Sequence, residues 1–158
     1  MALVAIPQAL WFFLPAFVAN PMAVLWGGGL PIDLGRTWRD GERLFGDGKT
    51  WRGLFGGTLS GAALGLLLFL PFGYAAPGSS WSFGSPETNI GSAAVLAFAA
   101  SALLAFGALL GDVAGAFVKR RMRKPRGSKA PVLDQYDFVA GGLLLSLLLA
   151  SWSVPRFF

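Results

Sequence analysis

The sequence contains no cysteine and no histidine, and charged residues make up only 13% of its 158 residues. The absence of these two side chains excludes thiol chemistry, a Ser-His triad and a zinc site built from imidazole or thiolate ligands. A soluble domain carries about 25% charged residues, so the shortage of charge argues against an ordinary soluble domain. Any chemistry must therefore come from carboxylates, lysine, arginine and backbone groups.

Apolar residues make up 54% of the sequence and are concentrated in four uncharged segments, each close to the length needed to cross a membrane. The predicted spans are Ala2–Trp26, Gly53–Ala75, Thr88–Gly111 and Phe138–Pro155. We therefore predict an all-α, polytopic integral membrane protein with at least four transmembrane helices. We expect residues 1–158 to form a single membrane-embedded domain.

The cationic side chains are concentrated in two of the loops between these spans. The loops 27–52 and 112–131 together contain twelve of the thirteen Lys and Arg residues. By the positive-inside rule, both basic loops face the cytoplasm and both termini lie outside. Seven of the eight acidic residues lie on the same side, which membrane orientation alone does not require. This excess of acids predicts a functional site at the cytoplasmic face.

Glycines recur every four residues on the second and third spans, a spacing that lets helix backbones approach closely. These ridges consist of Gly53, Gly57, Gly61 and Gly65 on the second span, and Gly107, Gly111 and Gly115 across the end of the third. We expect them to have a structural role, drawing the second and third spans together along with their loops.

Three carboxylates at the predicted cytoplasmic helix ends form a candidate metal site. Asp134 and Asp137 lie three residues apart near the start of the fourth span, and Asp112 directly follows the third. Like charges at this helical spacing repel, and a divalent cation would relieve the repulsion. Mg²⁺ prefers oxygen ligands and shares them with substrate phosphates. The alternatives are a solvated helix start for the pair, and an interfacial ion pair for Asp112 with Lys119, seven residues later.

The two basic loops predict contacts with phosphate. The segment 46–50 resembles the end of a P-loop, but Arg43 occupies the position of the first glycine and no strand precedes it, so we reject a P-loop fold. The local chemistry still favours phosphate binding at a helix N-terminus. Candidate phosphate contacts are the backbone N–H of Gly48 and the side chains of Lys49, Thr50 and Arg52 in the first loop, and Lys119, Arg120 and Lys129 in the other.

Two further features lie near the start of the first loop. Asn20, near the cytoplasmic end of the first span, is as well explained by a helix kink at Pro21 as by ligand contact. The segment 27–33 is predicted to be a flexible turn because it begins with three glycines. Neither feature identifies a ligand by itself.

These motifs together resemble the CDP-archaeol synthase family, which is related to the phosphatidate cytidylyltransferases. The resemblance is carried by Asn20-Pro21, Gly-Gly-Gly-x-Pro-Ile-Asp at 27–33, Gly-Asp-Gly-Lys-Thr-Trp-Arg-Gly at 46–53, Gly111-Asp112 and Pro-Val-Leu-Asp-Gln-Tyr-Asp at 131–137. The wider cytidylyltransferase signature has a serine before Lys119-Arg120, an arginine between Asp134 and Asp137, and a histidine. This sequence has none of the three, and these departures fit the archaeal branch better than the bacterial one.

The resemblance implies a Mg²⁺-dependent nucleotidyltransferase. It would move CMP from CTP to the ether-lipid phosphate 2,3-bis-O-geranylgeranylglycerol 1-phosphate, giving CDP-archaeol and pyrophosphate. The implied catalytic residues are Asp112, Asp134, Asp137, Lys49 and Lys119, with the three aspartates as metal ligands. The implied substrate contacts are Asn20, Asp47, Gly48, Thr50, Arg52, Arg120 and Lys129.

The same resemblance implies a multi-pass protein of the cell membrane whose active site faces the cytoplasm. Its partners would be CTP, the isoprenoid lipid phosphate and the bilayer, without nucleic acid, and the sequence leaves open whether it forms a homo-oligomer. Family members usually have a fifth membrane helix. Either this sequence is shortened after Phe158, which we favour, or one of the long apolar segments forms two helices.

Two other classes of function account less well for the residues. A small transporter for an anionic metabolite would need ionisable residues near the bilayer midplane, and the four spans have none. A structural lipid-binding protein could use the basic loops alone, but it leaves the three aspartates without a role.

Overall fold

The computed structural model is all-α apart from the first basic loop, and it describes residues 2–75, 90–123 and 131–150. The helices are α1 (Ala2–Leu25), α2 (Trp51–Ala75), α3 (Ile90–Arg121) and α4 (Pro131–Ala150). Within these ranges, β-structure is limited to two isolated bridges, Pro31 with Thr50 and Thr37 with Arg43. The prediction of an all-α fold is confirmed.

The helix ends differ from the predicted span ends because charged residues end a hydrophobic segment without ending a helix. α3 continues through the charged residue Asp112 to Arg121, and α4 begins at Pro131, seven residues before its predicted span. Proline suits the first helical position, which needs no N–H donor. The left-handed backbone of Arg123, with φ of 52°, follows the end of α3. The predicted end of the fourth span at Pro155 and the loop 76–87 lie outside the described residues.

Part of α3 has the length and composition of a membrane span. Within the described residues, Ala93–Arg121 is the one segment long and apolar enough to cross a membrane, and Leu10–Leu25 and Tyr136–Leu145 are shorter apolar helices. In lipid, a helix satisfies its backbone polar groups internally, which explains why these segments are helical. The figure of four membrane spans stays a prediction.

The glycine ridge of α2 packs against α3, as predicted, and it also packs against α1. A Cβ atom on Gly57 would lie 2.7 Å from the carbonyl oxygen of Ala19, and one on Gly61 would lie 2.6 Å from the Cβ of Ala105. Real Cβ atoms do not approach this closely, so the ridge needs glycine to let the helices approach. Ala19 and Ala105 are completely buried in the same core.

The glycine ridge of α3 packs against α4, so the expectation that both ridges join the second and third spans is wrong. A Cβ on Gly107 would lie 2.6 Å from the carbonyl oxygen of Gly141, and one on Gly111 would overlap the carbonyl oxygen of Asp137. Gly107 follows Ala105 by two residues, about 200° around the helix. The glycine ridge of α3 therefore lies on the opposite side of this helix from Ala105, which contacts the ridge of α2. In this way α3 packs between α2 and α4.

Candidate active site

A small cavity lies where α1 ends, α2 begins and α3 passes beside them. Its volume is about 50 Å³. Its polar lining comes from α1, the first loop and α3: Asn20, Gly48, Lys49, Thr50 and Asp112. Its apolar lining consists of Ala23, Val24, Ile32, Gly53, Leu54, Leu109 and Val113. The polar lining suits a phosphate or a cation.

Lys49 and Asp112 form an ion pair at this cavity. The Nζ atom of Lys49 donates a hydrogen bond to Oδ2 of Asp112, and the two side chains are 26% and 34% exposed. The sequence suggested Lys119 as the cation facing Asp112, but the lysine that pairs with Asp112 comes from the first loop. Lys119 lies two turns further along α3 and is partly exposed.

The start of α2 fixes the residues next to Lys49. The hydroxyl oxygen of Thr50 accepts a hydrogen bond from the backbone N–H of Gly53 at 3.2 Å, which is the arrangement of a helix N-cap. Thr50 is 5% exposed, so the cap lies inside the protein. Gly48 and Lys49 are therefore at a helix N-terminus, as predicted, where backbone dipoles favour an anion.

Asn20 contributes an acceptor to the cavity that the described residues do not satisfy. Its Oδ1 atom is buried and receives no hydrogen bond from the described part of the protein, although it lies in a helix that continues through Pro21 to Leu25. An unsatisfied buried polar atom costs about 1–3 kcal/mol. A bound cation or hydrogen-bond donor would remove that penalty, so the orphaned oxygen favours ligand contact for Asn20.

Asp137 lies against the glycines that flank Asp112 on α3. A Cβ on Gly115 would overlap the carboxylate of Asp137, and one on Gly111 would overlap its carbonyl oxygen. Gly115 lies three residues after Asp112, about 60° around α3, so the carboxylate of Asp137 packs on a face of α3 next to the one that carries Asp112. Within the described side chains, no cluster of three acidic metal-ligand residues is present. The backbone of Asp134 is in the first turn of α4, but its side chain lies outside the described residues.

Three other predicted substrate contacts, Asp47, Arg52 and Arg120, lie around the cavity rather than in its lining. The carboxylate of Asp47 is 61% exposed and is 2.9 Å from Nη1 of Arg43. The Arg120 guanidinium packs on Gly46, and the stem of Arg52 packs on Gly29. Lys129 lies outside the described residues. The structure therefore brings Asn20, Gly48, Lys49, Thr50 and Asp112 together at the cavity and leaves Asp47, Arg52 and Arg120 at its periphery.

Asp33 organises the first loop, a role that sequence reasoning missed. Its buried carboxylate accepts hydrogen bonds from the backbone N–H groups of Gly35 (3.1 Å), Phe45 (3.0 Å) and Gly46 (2.9 Å). It also accepts hydrogen bonds from Nη2 and Nε of Arg43, at 2.6 and 3.3 Å. The segment 27–33 was predicted to be a flexible turn, but at Asp33 the chain is held by five donors.

The environment of Asp33 keeps its carboxylate charged. Burial alone would raise its pKa, but the hydrogen bonds from Arg43, Gly46, Phe45 and Gly35 together hold the pKa well below its usual value. The contact with Asp33 also raises the pKa of the Arg43 guanidinium. The excess of acids on the cytoplasmic side was the sequence signal for such a residue, but it did not distinguish Asp33 from the other acids.

Arg121, at the end of α3, ties the same loop to the helix. It donates hydrogen bonds to the carbonyl oxygen of Arg43 at 2.8 Å and to Oδ1 of Asp40 at 3.0 Å. Its guanidinium lies 4.9 Å above the ring of Phe117, close enough for a cation–π interaction. Arg121 thus joins the loop carrying Lys49 to the helix carrying Asp112.

The chain matches a known protein family over nearly its whole length. A family model described as "CarS-like: CDP-archaeol synthase" matches residues 2–155, nearly the whole chain. The chain belongs to the CDP-archaeol synthase family. It is therefore an enzyme, a cytidylyltransferase of archaeal lipid biosynthesis, and the resemblance inferred from the motifs is confirmed.

Curated members of the CDP-archaeol synthase family are similar over most of the chain. The protein from Thermococcus onnurineus is 48% identical over 145 residues, covering 90% of this chain and 75% of the relative. The protein from Methanoculleus marisnigri is 49% identical over 135 residues, covering 85% and 74%. Both are named CDP-archaeol synthase.

A solved structure has the same fold. It is described as an intramembrane enzyme for archaeal membrane lipids biosynthesis, and it superposes with a TM-score of 0.72 at 41% identity. The match covers 90% of this chain and 77% of that one. Together with the apolar α3, this similarity makes the chain a membrane protein.

Proposed function

We propose that this protein transfers CMP from CTP to 2,3-bis-O-geranylgeranylglycerol 1-phosphate in a Mg²⁺-dependent reaction, giving CDP-archaeol and pyrophosphate. The observation that carries the proposal is the cavity in which Lys49, Asp112 and the orphaned Oδ1 of Asn20 meet at the N-terminus of α2. A cation, an anion and a helix N-terminus at one small cavity suit a metal-bound phosphate. Family membership supports the choice of CTP and an isoprenoid lipid phosphate.

The reaction needs charge neutralisation more than a strong base. One oxygen of the lipid phosphate attacks the α-phosphorus of CTP, a new P–O bond forms, and the bond from the α-phosphorus to the bridging oxygen of the β-phosphate breaks. Pyrophosphate leaves with the electron pair. The attacking oxygen is already ionised near neutral pH, so the lack of histidine is no obstacle. Alignment of two mutually repelling phosphate groups is the main requirement.

Lys49 is the cation best situated to assist the leaving group. Its ammonium lies at the cavity, beside Gly48 and the N-terminus of α2, where backbone dipoles also favour negative charge. Lys119 and Arg120, at the end of α3, add positive charge along the approach from the basic loops. The rest of the nucleotide or the lipid headgroup would contact Arg52, Asp47, Thr50 and Lys129.

The oxygen groups near the cavity fit Mg²⁺. Asp112 supplies a carboxylate from α3, and Asp137 supplies one from α4 that packs against Gly115 of α3. Asn20 supplies an unsatisfied amide oxygen, and Asp134 would add a third carboxylate. Oxygen ligands of this kind are those that Mg²⁺ prefers. When bound, Mg²⁺ would withdraw charge from the α- and β-phosphates.

The helix ends that form the cavity support a cytoplasmic site. Asn20 is near the end of α1 and Lys49 precedes α2, and both line the cavity. Asp137, in the second turn of α4, packs against Gly115 of α3, three residues from Asp112. Asp112 comes about 33 Å along α3 from Ile90, roughly one bilayer core from the other end. We propose a multi-pass topology in which the basic loops face the cytoplasm. The lipid phosphate would remain in the leaflet and CTP would enter from the aqueous side.

Labelled CTP tests the reaction directly. Purified protein in detergent would be mixed with Mg²⁺, the ether-lipid phosphate and CTP carrying label in either its α- or its γ-phosphate. We expect the α-label in the organic phase, the γ-label in pyrophosphate, and no transfer after chelation of Mg²⁺. An ester-linked lipid phosphate and dCTP, tested in parallel, define the specificity. Absence of α-label from every lipid would overturn the proposal.

The absence of natural cysteine allows a clean test of orientation. Single cysteines would replace Glu42 in the first basic loop or Ser80 in the segment between α2 and α3. In intact cells, a membrane-impermeant thiol reagent should label Ser80→Cys and spare Glu42→Cys. Equal labelling of both positions would contradict the proposed topology.

A further inference from the structure

We infer that Asp33 is a positioning residue for the transfer reaction, acting on Lys49 through the backbone of the first loop. This inference rests on the proposed function. Asp33 does not line the cavity, and none of its hydrogen-bond partners is a candidate for contact with the reacting phosphates. Its effect must therefore pass through the residues that it holds.

Two hydrogen-bonded paths connect the main chain of Lys49 to Asp33, one through the Asp33 carboxylate and one through the neighbouring residue Ile32. On one side, the Asp33 carboxylate binds the N–H groups of Phe45 and Gly46, and the carbonyl oxygen of Gly46 accepts a hydrogen bond from the N–H of Lys49 at 3.3 Å. On the other side, the residue before Asp33, Ile32, donates its N–H to the carbonyl oxygen of Lys49 at 2.8 Å. The main chain of Lys49 is thus fixed relative to Asp33 at two points.

Arg43 connects this arrangement to α3. It binds both oxygens of Asp33 through Nε and Nη2, and its own carbonyl oxygen accepts a hydrogen bond from Arg121. Arg121 is nine residues, about 14 Å, further along α3 than Asp112. The network therefore sets the distance between the loop with Lys49 and the helix with Asp112.

Because Asp33 is buried, a small change at this residue should shift the loop that carries Lys49. Its side chain is 0% exposed, whereas that of Arg43 is 30% exposed, so water cannot replace lost contacts around Asp33. Asn has the same shape as Asp, but one of its two terminal atoms is a donor. In Asp33→Asn, an N–H₂ group would face N–H groups of Phe45, Gly46 or Arg43, and the loop would have to shift to relieve the conflict.

The test is a double-mutant cycle between Asp33→Asn and Lys49→Ala. The matched control is Glu42→Gln, the same change from acid to amide at an exposed position of the same loop. We expect Asp33→Asn to lower kcat/KM by about 10- to 100-fold, as small misplacements of catalytic groups do. Glu42→Gln should match the wild type. In the Lys49→Ala background, Asp33→Asn should have little further effect, because the group that it positions is gone.

CTP affinity, measured calorimetrically on the same four proteins of the cycle, gives a second readout that does not require turnover. Asp33→Asn should weaken binding in the presence of Lys49 and not in its absence. If Asp33→Asn is unstable, Arg43→Lys replaces it in the cycle, since lysine keeps the charge but cannot bind both carboxylate oxygens through a planar fork. The same loss of effect in the Lys49→Ala background is expected.

The outcomes separate this inference from the proposed function. If the wild type transfers no CMP, the proposed function fails. If the wild type is active and Asp33→Asn equals Glu42→Gln, Asp33 has no positioning role. If Asp33→Asn lowers kcat/KM and CTP affinity equally with and without Lys49, it acts on the general fold, and the inference is overturned.

Discussion

Lys49, in the loop before α2, donates a hydrogen bond to Asp112 of α3 across 63 positions of the sequence. The pair joins a basic loop to a membrane helix at a cavity that also contains the orphaned oxygen of Asn20. Both side chains retain some contact with solvent. An incoming phosphate can therefore replace Asp112 as the partner of Lys49, and its cation can replace Lys49 as the partner of Asp112. The ion pair therefore keeps both charges in place before substrate binds.

Replacing Lys49 by alanine should raise the KM for CTP and lower kcat. A phosphate contact exists both before and during transfer, so both constants should change, and we expect kcat/KM to fall by about 100-fold or more. Steady-state kinetics in detergent provides the measurement. Arg39→Ala, which removes an exposed cation of the same loop, should stay within about twofold of the wild type. An unchanged KM in Lys49→Ala would show that Lys49 does not bind CTP.

Replacing Gly57 or Gly61 by leucine should destabilise the protein and reduce activity, although neither residue lines the cavity. A Cβ alone would already meet Ala19 or Ala105, and overpacking typically costs about 1–3 kcal/mol. Thermal unfolding in detergent checks the effect. Ala63→Leu places the same bulk on the exposed face of α2 and should melt near the wild-type temperature. If the glycine variants melt at the same temperature as Ala63→Leu, the glycine face of α2 does not pack against α1 and α3.

Adding one methyl group at Gly115 should reduce turnover much as loss of the Asp137 carboxylate does. The new Cβ would overlap that carboxylate and push it away from the Asp112 side of α3, so we expect Gly115→Ala to lose about 10- to 100-fold in kcat. Asp137→Asn provides the reference, and Ala114→Ser adds one atom at an exposed neighbouring position as the control. Wild-type turnover in both Gly115→Ala and Asp137→Asn would remove Asp137 from the site.

The helices and much of the candidate site could be predicted because two strong physical constraints act on the sequence. Uncharged segments in lipid must be helical, and glycines at a spacing of four residues form a close-packed face. Lys49, Thr50 and Asp112 were recognised as site candidates from charge, from a glycine-rich turn and from their positions at helix ends. These are local features that a sequence displays directly.

The pairing of these residues could not be predicted in the same way. Asp112 has Lys119 on its own helical face by spacing, whereas its ion pair with Lys49 depends on the path of the first loop. Asp33 and Arg43 lie in a loop without periodicity, so nothing in their separation of ten residues indicates a shared ion pair. The packing of Gly111 against α4 instead of α2 likewise depends on which neighbour each face of α3 meets.

The assignment of the active site is tested most sharply by CMP transfer in the Asp112→Asn variant. Transfer would be measured at saturating CTP over a series of Mg²⁺ concentrations, together with the melting temperature of the variant. Asn fits the volume of Asp at this partly exposed position, so folding should be preserved. Loss of a carboxylate that faces Lys49 and would hold Mg²⁺ should slow transfer by at least about 100-fold. A slow variant with a wild-type melting temperature is the predicted result. Near-wild-type turnover at the same Mg²⁺ concentration would contradict the assignment of the active site.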